Sequence, residues 1–270
     1  MKLKGFRNTA KYYWRVWRRI VNGALSRGYI YKRELFISLI RSIYVVLAQI
    51  ILLNVIFSDT QMYVGWSKSE AYLVIGIWNI LNYTSWAVFG INLIRLESSV
   101  IDGSFDYILL KPISSSWLAS FGDFFIYNLS SAISGLVLVC YYIITNLGSI
   151  TLVNVCFGFL SMCVAFFIWY SIFLIFASFT VSSPKNGLLA VAKELLGITK
   201  YPIDIFKNVG DILFCAIIPL AFLTTVPAKF FMGEISFKSI LYGLLVGSFL
   251  YLGARCLWRF NVKKYNSAGS

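Results

Sequence analysis

Long apolar segments follow one another along most of this 270-residue chain, and polar residues gather in the short stretches between them. The clearest run extends from Phe124 to Pro184, within which no Lys, Arg, Asp or Glu occurs. A bilayer-crossing helix needs about 20 mostly apolar residues. The run therefore predicts membrane spans rather than the core of a soluble domain.

The whole pattern predicts an all-α integral membrane protein with six transmembrane helices. The predicted spans are Leu35 to Phe57, Ala71 to Ile94, Phe124 to Thr145, Leu152 to Val181, Ile212 to about Phe231, and Ile235 to Trp258. Pro219 and Pro227 interrupt the fifth, which predicts either a broken helix or a re-entrant hairpin covered by protein. One membrane domain (35–258) is thus flanked by an N-terminal segment (1–34) and a C-terminal tail (259–270).

The distribution of Lys and Arg predicts the orientation. With the N-terminus inside, ten basic residues precede Glu34, two lie in 95–118, four in 182–211 and four from Arg255 onward. The external segments then carry only Lys68, Lys229 and Lys238. Because cytoplasmic loops are enriched in basic residues, both termini of this multi-pass cell-membrane protein are predicted to be cytoplasmic.

Composition narrows the chemistry. Hydrophobic residues make up 59% of the chain, charged residues 13%, and the net charge is +13. The basic residues lie beside spans, where they meet membrane lipids, so nucleic acid is not an expected partner. Histidine is absent, the five cysteines show no metal-ligand spacing and are interpreted as small core residues, and no paired intramembrane aspartates occur. No catalytic residue and no metal site is predicted.

An amphipathic helix is predicted before the first span, because one face is apolar and the other basic. The apolar face comprises Tyr13, Val16, Trp17, Ile20, Val21 and Ala24; the other face carries Lys11, Arg15, Arg18 and Asn22. The candidate residues of this helix are Arg15, Trp17, Arg18 and Arg19. As an interface helix it would place its apolar stripe in the headgroup boundary and its arginines against acidic lipid. The alternative is a plain basic tail that only sets topology.

The cytoplasmic loop at about 95–118 is too apolar for a simple connector. Gly103 permits a turn, Phe105 to Leu110 suit a short helix and Pro112 ends it, which predicts a compact knob for a partner's groove. The alternative is a solvated connector that hugs the membrane. The candidate docking residues are Glu97, Asp102, Gly103, Phe105, Asp106, Leu109, Leu110, Lys111 and Pro112.

Polar side chains inside the predicted spans have two interpretations. Gln49, Asn54, Asn79 and Asn82 either join helices by hydrogen bonds or line a substrate path. Arg41 is costly in hydrocarbon, so it is expected to snorkel or to face a polar partner such as Asp123.

Several segments resemble one family of membrane proteins. The stretches GSFDYILLKPI (103–113), YPIDIF (201–206), IIPLAFLTTVPA (217–228) and the terminal KKYNSAGS (263–270) are similar to those of the membrane subunits of ABC type 2 exporters, in their uncharacterised permease branch. The resemblance implies a six-span permease that dimerises, with itself or a related chain, and binds a separate ABC ATPase. It also implies that residues 11–34 form an interface helix, that 97–112 form the coupling helix, and that a re-entrant element lies between spans five and six.

The motor is expected on another polypeptide. No GxxxxGK[ST] motif occurs in the sequence, so ATP and Mg are expected to bind to the partner ATPase. No cofactor is expected to bind to this chain. A secondary transporter or channel would need intramembrane carboxylates or an internal repeat, which the sequence does not show. That class and a non-transporting membrane scaffold are the alternative functions.

Overall fold

The computed structural model describes residues 2–58, 62–63, 65–202 and 219–266 of the chain. In this part the fold is helical apart from one small hairpin. The α-helices are α1 Lys2–Ile30, α2 Lys32–Ile56, α3 Lys68–Ser85, α4 Ile91–Ile101, α5 Phe105–Leu109, α6 Ser115–Phe121, α7 Ile126–Thr145, α8 Leu152–Ser182, α9 Leu188–Ile198, α10 Thr225–Met232 and α11 Lys238–Lys263.

Five helices of the described part are long and apolar enough to cross a membrane. They are α2, the continuous run from α3 to α4, α7, α8 and α11. The all-α membrane fold is thereby confirmed, and the ends of α2, α7 and α8 lie within three residues of those predicted. The second span is longer than expected, because a π-helical turn at Trp86–Gly90 joins α3 to α4 without ending the helix.

The centre of the bundle is formed by α3 and α8, and its edge by α2 and α11. More than half of the most apolar windows of α3–α4 and α8 is buried, against less than a quarter in α2 and α11. Cys140, Cys156, Cys163 and Cys256 lie on exposed surfaces, so their interpretation as core residues is wrong; Cys215 lies outside the described residues. These cysteines lie on the outer faces of α7, α8 and α11, where an apolar lipid surrounding would accommodate a small thiol as well as a core does.

Small residues allow the central helices to approach closely. A Cβ added to Gly135 of α7 would collide with the backbone oxygen of Gly76 on α3. Two serine pairs join α2 to α7: Ser38 with Ser130 at 2.6 Å and Ser42 with Ser131 at 2.9 Å. Packing of small residues and hydroxyl bonds is how helices associate where lipid removes the hydrophobic driving force.

A two-stranded hairpin leads into α3. Strand β1 (Met62–Tyr63) pairs antiparallel with β2 (Trp66–Ser67), and Gly65 in the turn has a positive φ of 79°. Ser67 then begins α3 with a capping box, in which its hydroxyl accepts from the Glu70 amide and its own amide donates to the Glu70 carboxylate. This reciprocal cap fixes the entry of the central helix.

The predicted fifth span is not a continuous helix where the structure describes it. Residues 212–218 lie outside the described part, and from Pro219 the chain forms a 3₁₀ turn (Leu220–Phe222) and then the eight-residue helix α10. Eight residues extend for about 12 Å, well short of a bilayer core of about 30 Å. Phe230 and Phe231 of α10 pack on Phe157 and Phe159 at the start of α8.

The segment 182–211 was predicted to be a cytoplasmic loop, and within it residues 188–198 are helical. They form α9, whose buried residues Leu189, Ala192 and Leu196 pack it into the bundle. The indole N–H of Trp78, in the middle of α3, donates to the backbone oxygen of Leu196 at 3.3 Å. The apolar residues of α9 stabilise this packing. Lys193 of α9 and Lys200, which follows it, therefore lie beside α3.

Candidate functional site

The loop between α4 and α6 folds into a compact knob, residues 102–112. Asp102 ends α4, and its carboxylate accepts a hydrogen bond from the Ser104 amide at 2.8 Å. Hydrogen bonds from the Ser104 side chain and backbone lower the pKa of Asp102. Gly103 has a φ of 76°, a conformation that residues with a Cβ rarely adopt, so it allows the chain to reverse into α5.

One aromatic side chain anchors the knob. Phe105 is fully buried, with its ring edge-on to Trp258 at 6.2 Å and to Tyr265 at 5.1 Å. The Trp258 indole also donates to the Ser115 hydroxyl of α6 at 3.1 Å. The knob is therefore attached to the C-terminal end of α11 as well as to α4.

The opposite side of the knob is apolar and exposed. Leu110 is 81% exposed and Tyr107 71%, although Phe105 between them and the bundle has no exposure. The other candidate docking residues lie around this tip. Asp102, Leu109, Lys111 and Pro112 are exposed, whereas Glu97, Gly103 and Asp106 are half-buried.

Helix α1 presents the predicted apolar face, and residues of that face pack on the protein. Tyr13 contacts the ring of Trp117 on α6 at 5.0 Å, and its hydroxyl accepts from the Ser114 amide at 3.1 Å. Trp17 packs against Phe121 and Phe124, both at 5.9 Å. The headgroup placement of this stripe stays a prediction, and the rings of Trp117, Phe121 and Phe124 form the protein side of its contacts. Of the candidate residues of this helix, Arg15, Arg18 and Arg19 are exposed and Trp17 is half-buried.

Asp123 forms an ion pair with Arg27 of α1 and not with Arg41. Its backbone oxygen, with that of Ser120, accepts from the Asn92 amide group. Arg41 is exposed. The carboxylate therefore joins α1 to the start of α7 at the same end of the bundle as the knob.

The four polar residues of the spans have different environments. Gln49 and Asn79 are buried and exchange two hydrogen bonds, of 2.8 and 3.3 Å, between α2 and α3. Asn54 is exposed and donates to the Ile50 backbone oxygen of its own helix. Asn82 accepts from the Trp86 indole at 3.0 Å and faces a cleft.

This cleft lies beside α3 and has two compartments, one facing α9 and the other facing α2. A cavity of about 490 Å³ is lined by Trp78, Asn82, Trp86, Lys193, Glu194, Gly197, Ile198, Lys200 and Tyr201. A cavity of about 550 Å³ is lined by Leu52, Leu53, Ile56, Phe57, Trp66, Ala71, Ile75, Lys200, Tyr201 and Pro202. Lys200 and Tyr201 belong to both, so the two cavities adjoin at these residues.

The family model described as ABC-2 family transporter protein matches residues 43–269. The chain belongs to this family. Members of the ABC-2 membrane family are permease subunits that work with an ABC ATPase subunit. No curated protein and no solved structure matches the chain.

The family match covers the parts of this ABC-2 permease in which the knob and the cleft lie. It begins within α2, extends beyond the end of α11 and leaves helix α1 outside. The membership therefore rests on the membrane helices and their loops. Helix α1 is joined to these helices by its covalent link to α2 and by its contacts with α6 and α7.

Sequence reasoning missed most of the cleft of this ABC-2 permease. Of the residues that line the polar compartment, only Asn82 was a candidate. A signal was present in α3, because Ala71, Ile75, Trp78, Asn82 and Trp86 recur at the helical spacing and share one face. The opposite wall was hidden, since α9 lies in a segment whose lysines were counted as loop residues.

Proposed function

We propose that this chain is the transmembrane subunit of an ATP-driven exporter, which docks a separate ATPase on its knob and forms the substrate pathway together with a second permease. The supporting observation is the exposed Leu110 on a segment whose other side is fixed by Phe105. ATP and Mg would be bound by the partner, which supplies the hydrolysis. This chain supplies the pathway and the mechanical link.

The form of the knob suits a protein partner. A large apolar side chain in water at the tip of a rigid convex segment is disfavoured unless something covers it, and burial of one Leu side chain is favourable by about 1.5 to 3 kcal/mol. Charged groups, Asp102 and Lys111, surround the apolar tip. An apolar centre with a polar rim is the usual composition of a docking site.

The contacts of the knob provide two routes into the bundle. Through Phe105 and Trp258, a push on the knob reaches α11, which packs along α8 by way of Gly247 against Phe167. Through α4 and the π-helical turn it reaches α3 and the cleft directly. Closure of an ATPase dimer would use both to shift the bundle between inward and outward access.

The finer topology belongs to the same proposal. Six spans with both termini in the cytoplasm place the knob, α1 and the end of α11 on the side of the ATPase. The fifth span would then begin with α9, and α10 would be a re-entrant element at the outer end. Its support is that α10 is too short to cross and packs beside the start of α8.

A pull-down with a matched control tests the docking role. We expect Leu110→Asp to abolish co-purification of the ATPase in mild detergent while membrane insertion is unchanged, because a carboxylate in the centre of the interface is left desolvated. Ile30→Asp introduces the same change at a residue 70% exposed, at the end of α1, and is expected to retain the ATPase. Retention of the ATPase by Leu110→Asp would refute the docking assignment.

A further inference from the structure

The two compartments of the cleft differ in chemistry. The larger cavity is lined on most sides by aliphatic and aromatic carbon: Leu52, Leu53, Ile56, Phe57, Ala71 and Ile75. Its volume of about 550 Å³ lies in the range of small-molecule sites, about 300 to 1,000 Å³. A cavity of this kind accepts an alkyl chain.

The second compartment is polar and aromatic. It contains the Asn82 amide and the indoles of Trp78 and Trp86, beside the neighbouring charges of Lys193 and Glu194. The Lys193 ammonium lies 4.0 Å from the Glu194 carboxylate, so these two charges offset each other. The field of this compartment is then governed by the remaining cation.

That cation is Lys200, at the junction of the two compartments. Its ammonium lies 5.8 Å from the centre of the Trp78 ring and 5.9 Å from that of Tyr201. Among the described residues no carboxylate forms an ion pair with it. An ammonium beside aromatic faces, at the mouth of an apolar cavity, is complementary to an anionic group that carries an apolar chain.

We propose that the cleft binds an anionic amphiphile, with its phosphate or carboxylate head at Lys200 and its alkyl chain in the apolar compartment. That this ligand is the transported substrate rests on the proposed exporter function; the binding itself does not. The charge at Lys200 selects the head, and the apolar compartment holds the chain. A neutral molecule with the same chain lacks the first of these contacts.

A photocrosslinking experiment on the full chain tests this. The probe is dodecyl phosphate with a diazirine in the chain, compared with diazirine-labelled dodecyl maltoside, in nanodiscs of neutral phosphatidylcholine. We expect saturable labelling by the phosphate on peptides that contain 52–57 or 71–75. Lys200→Gln should weaken this labelling by about tenfold, as expected for the loss of one charge-assisted contact.

Two further variants separate charge from folding. Lys200→Arg keeps the cation and should retain labelling, whereas Lys185→Gln removes a cation from the turn after α8 and should have no effect. Equal labelling by phosphate and maltoside, or labelling scattered over the outer faces of α2 and α11, would overturn the proposal. Saturable labelling that is unchanged in Lys200→Gln would overturn it too.

The outcome of the photocrosslinking experiment is independent of the outcome of the ATPase pull-down. Charge-selective labelling without a co-purified ATPase would support the cleft and refute the exporter proposal. A co-purified ATPase without charge-selective labelling would do the reverse.

Discussion

The knob and the cleft lie at the two ends of the same helical run. The knob is convex with an exposed apolar tip, whereas the cleft is concave. In the knob one aromatic ring, Phe105, is turned inward and buried, and the apolar tip at Leu110 is turned outward. In the cleft, apolar and charged groups line a concave space, with Lys200 at the junction of its two compartments. A convex apolar tip suits a macromolecular partner, whereas a concave cavity suits a small molecule.

One continuous helical run connects the cleft to the knob. The run from Lys68 to Ile101 begins beside the cleft and ends at the knob, and the π-helical turn at Trp86–Gly90 lies between the two. π-Helical turns inside α-helices are frequent at functional sites. The ring of Trp86, the first residue of the turn, lines the cleft, so a change in the turn alters the cleft directly.

Removal of the anchor should have the largest effect. Phe105→Ala leaves a cavity against Trp258 and Tyr265, and loss of a buried Phe typically costs about 3 to 5 kcal/mol. We expect the knob to lose its fixed position, so that amide hydrogen exchange over 102–112 accelerates and ATPase binding is lost. Ligand labelling in the cleft should remain.

Tyr107→Ala is the control for this variant, since the Tyr107 side chain is 71% exposed and its loss leaves no cavity. Its exchange over 102–112 should match that of the wild type. If Phe105→Ala exchanged as slowly as Tyr107→Ala, the buried ring would not be the anchor.

A substitution that crowds the π-helical turn between the knob and the cleft should have the next largest effect. A Cβ at Gly90 would lie 3.0 Å from the Trp86 ring and 3.3 Å from the Ser85 backbone oxygen, so Gly90→Val crowds the π-helical turn. We expect the ATPase to bind normally but permease-dependent ATP hydrolysis in nanodiscs to fall by about tenfold, within the range that coupling mutations reach.

Gly253→Val provides the comparison, because a Cβ at Gly253 of α11 meets no atom within 4 Å. Its hydrolysis should equal that of the wild type. Equal hydrolysis by both valine variants would mean that the turn does not couple the knob to the cleft.

Substitutions of the polar residues near the cleft should have smaller effects, and they distinguish residues that stabilise the fold from those that bind the ligand. Gln49→Leu leaves the buried Asn79 amide without its partner, which costs about 1 to 3 kcal/mol. The double variant Gln49→Leu/Asn79→Leu should recover most of this stability. Asn82→Leu should affect stability little and ligand labelling more, because Asn82 faces the cavity.

Thermal unfolding in neutral detergent checks these three variants together. A double variant less stable than Gln49→Leu alone would contradict the pairing. A loss of stability in Asn82→Leu equal to that in Gln49→Leu would assign Asn82 to packing as well.

The sequence predicted what depends on local pattern. Five spanning helices, the apolar face of α1 and the short helix that begins at Phe105 follow from hydrophobic periodicity and from turn residues such as Gly103. The partner of that α1 face did not follow. Whether Trp17 meets lipid or the rings of Phe121 and Phe124 depends on where α6 lies, which no local pattern encodes.

The cleft was hidden for a similar reason. Charge is read from sequence as a sign of solvent, so Lys193 and Lys200 led to the prediction of a loop. In the structure the apolar face of α9, with Leu189 and Leu196, decides its place and the lysines line the space beside α3. A functional cavity is one of the few places where a charged residue in a membrane protein is expected.

The smallest effect concerns pH at the knob. Hydrogen bonds from Ser104 favour the charged carboxylate of Asp102 and lower its pKa. A group whose pKa is lower in the folded state stabilises the fold above its unfolded pKa, and this contribution is lost as pH falls through the folded value. Because Asp102 is exposed, the turn at Gly103 should loosen only slightly in acid.

Carboxyl chemical shifts should show an Asp102 pKa below the ordinary value, and hydrogen-exchange protection of the Ser104 amide should fall as Asp102 becomes protonated. In Asp102→Asn that protection should not depend on pH; a titration identical to the wild type would remove the carboxylate from the turn.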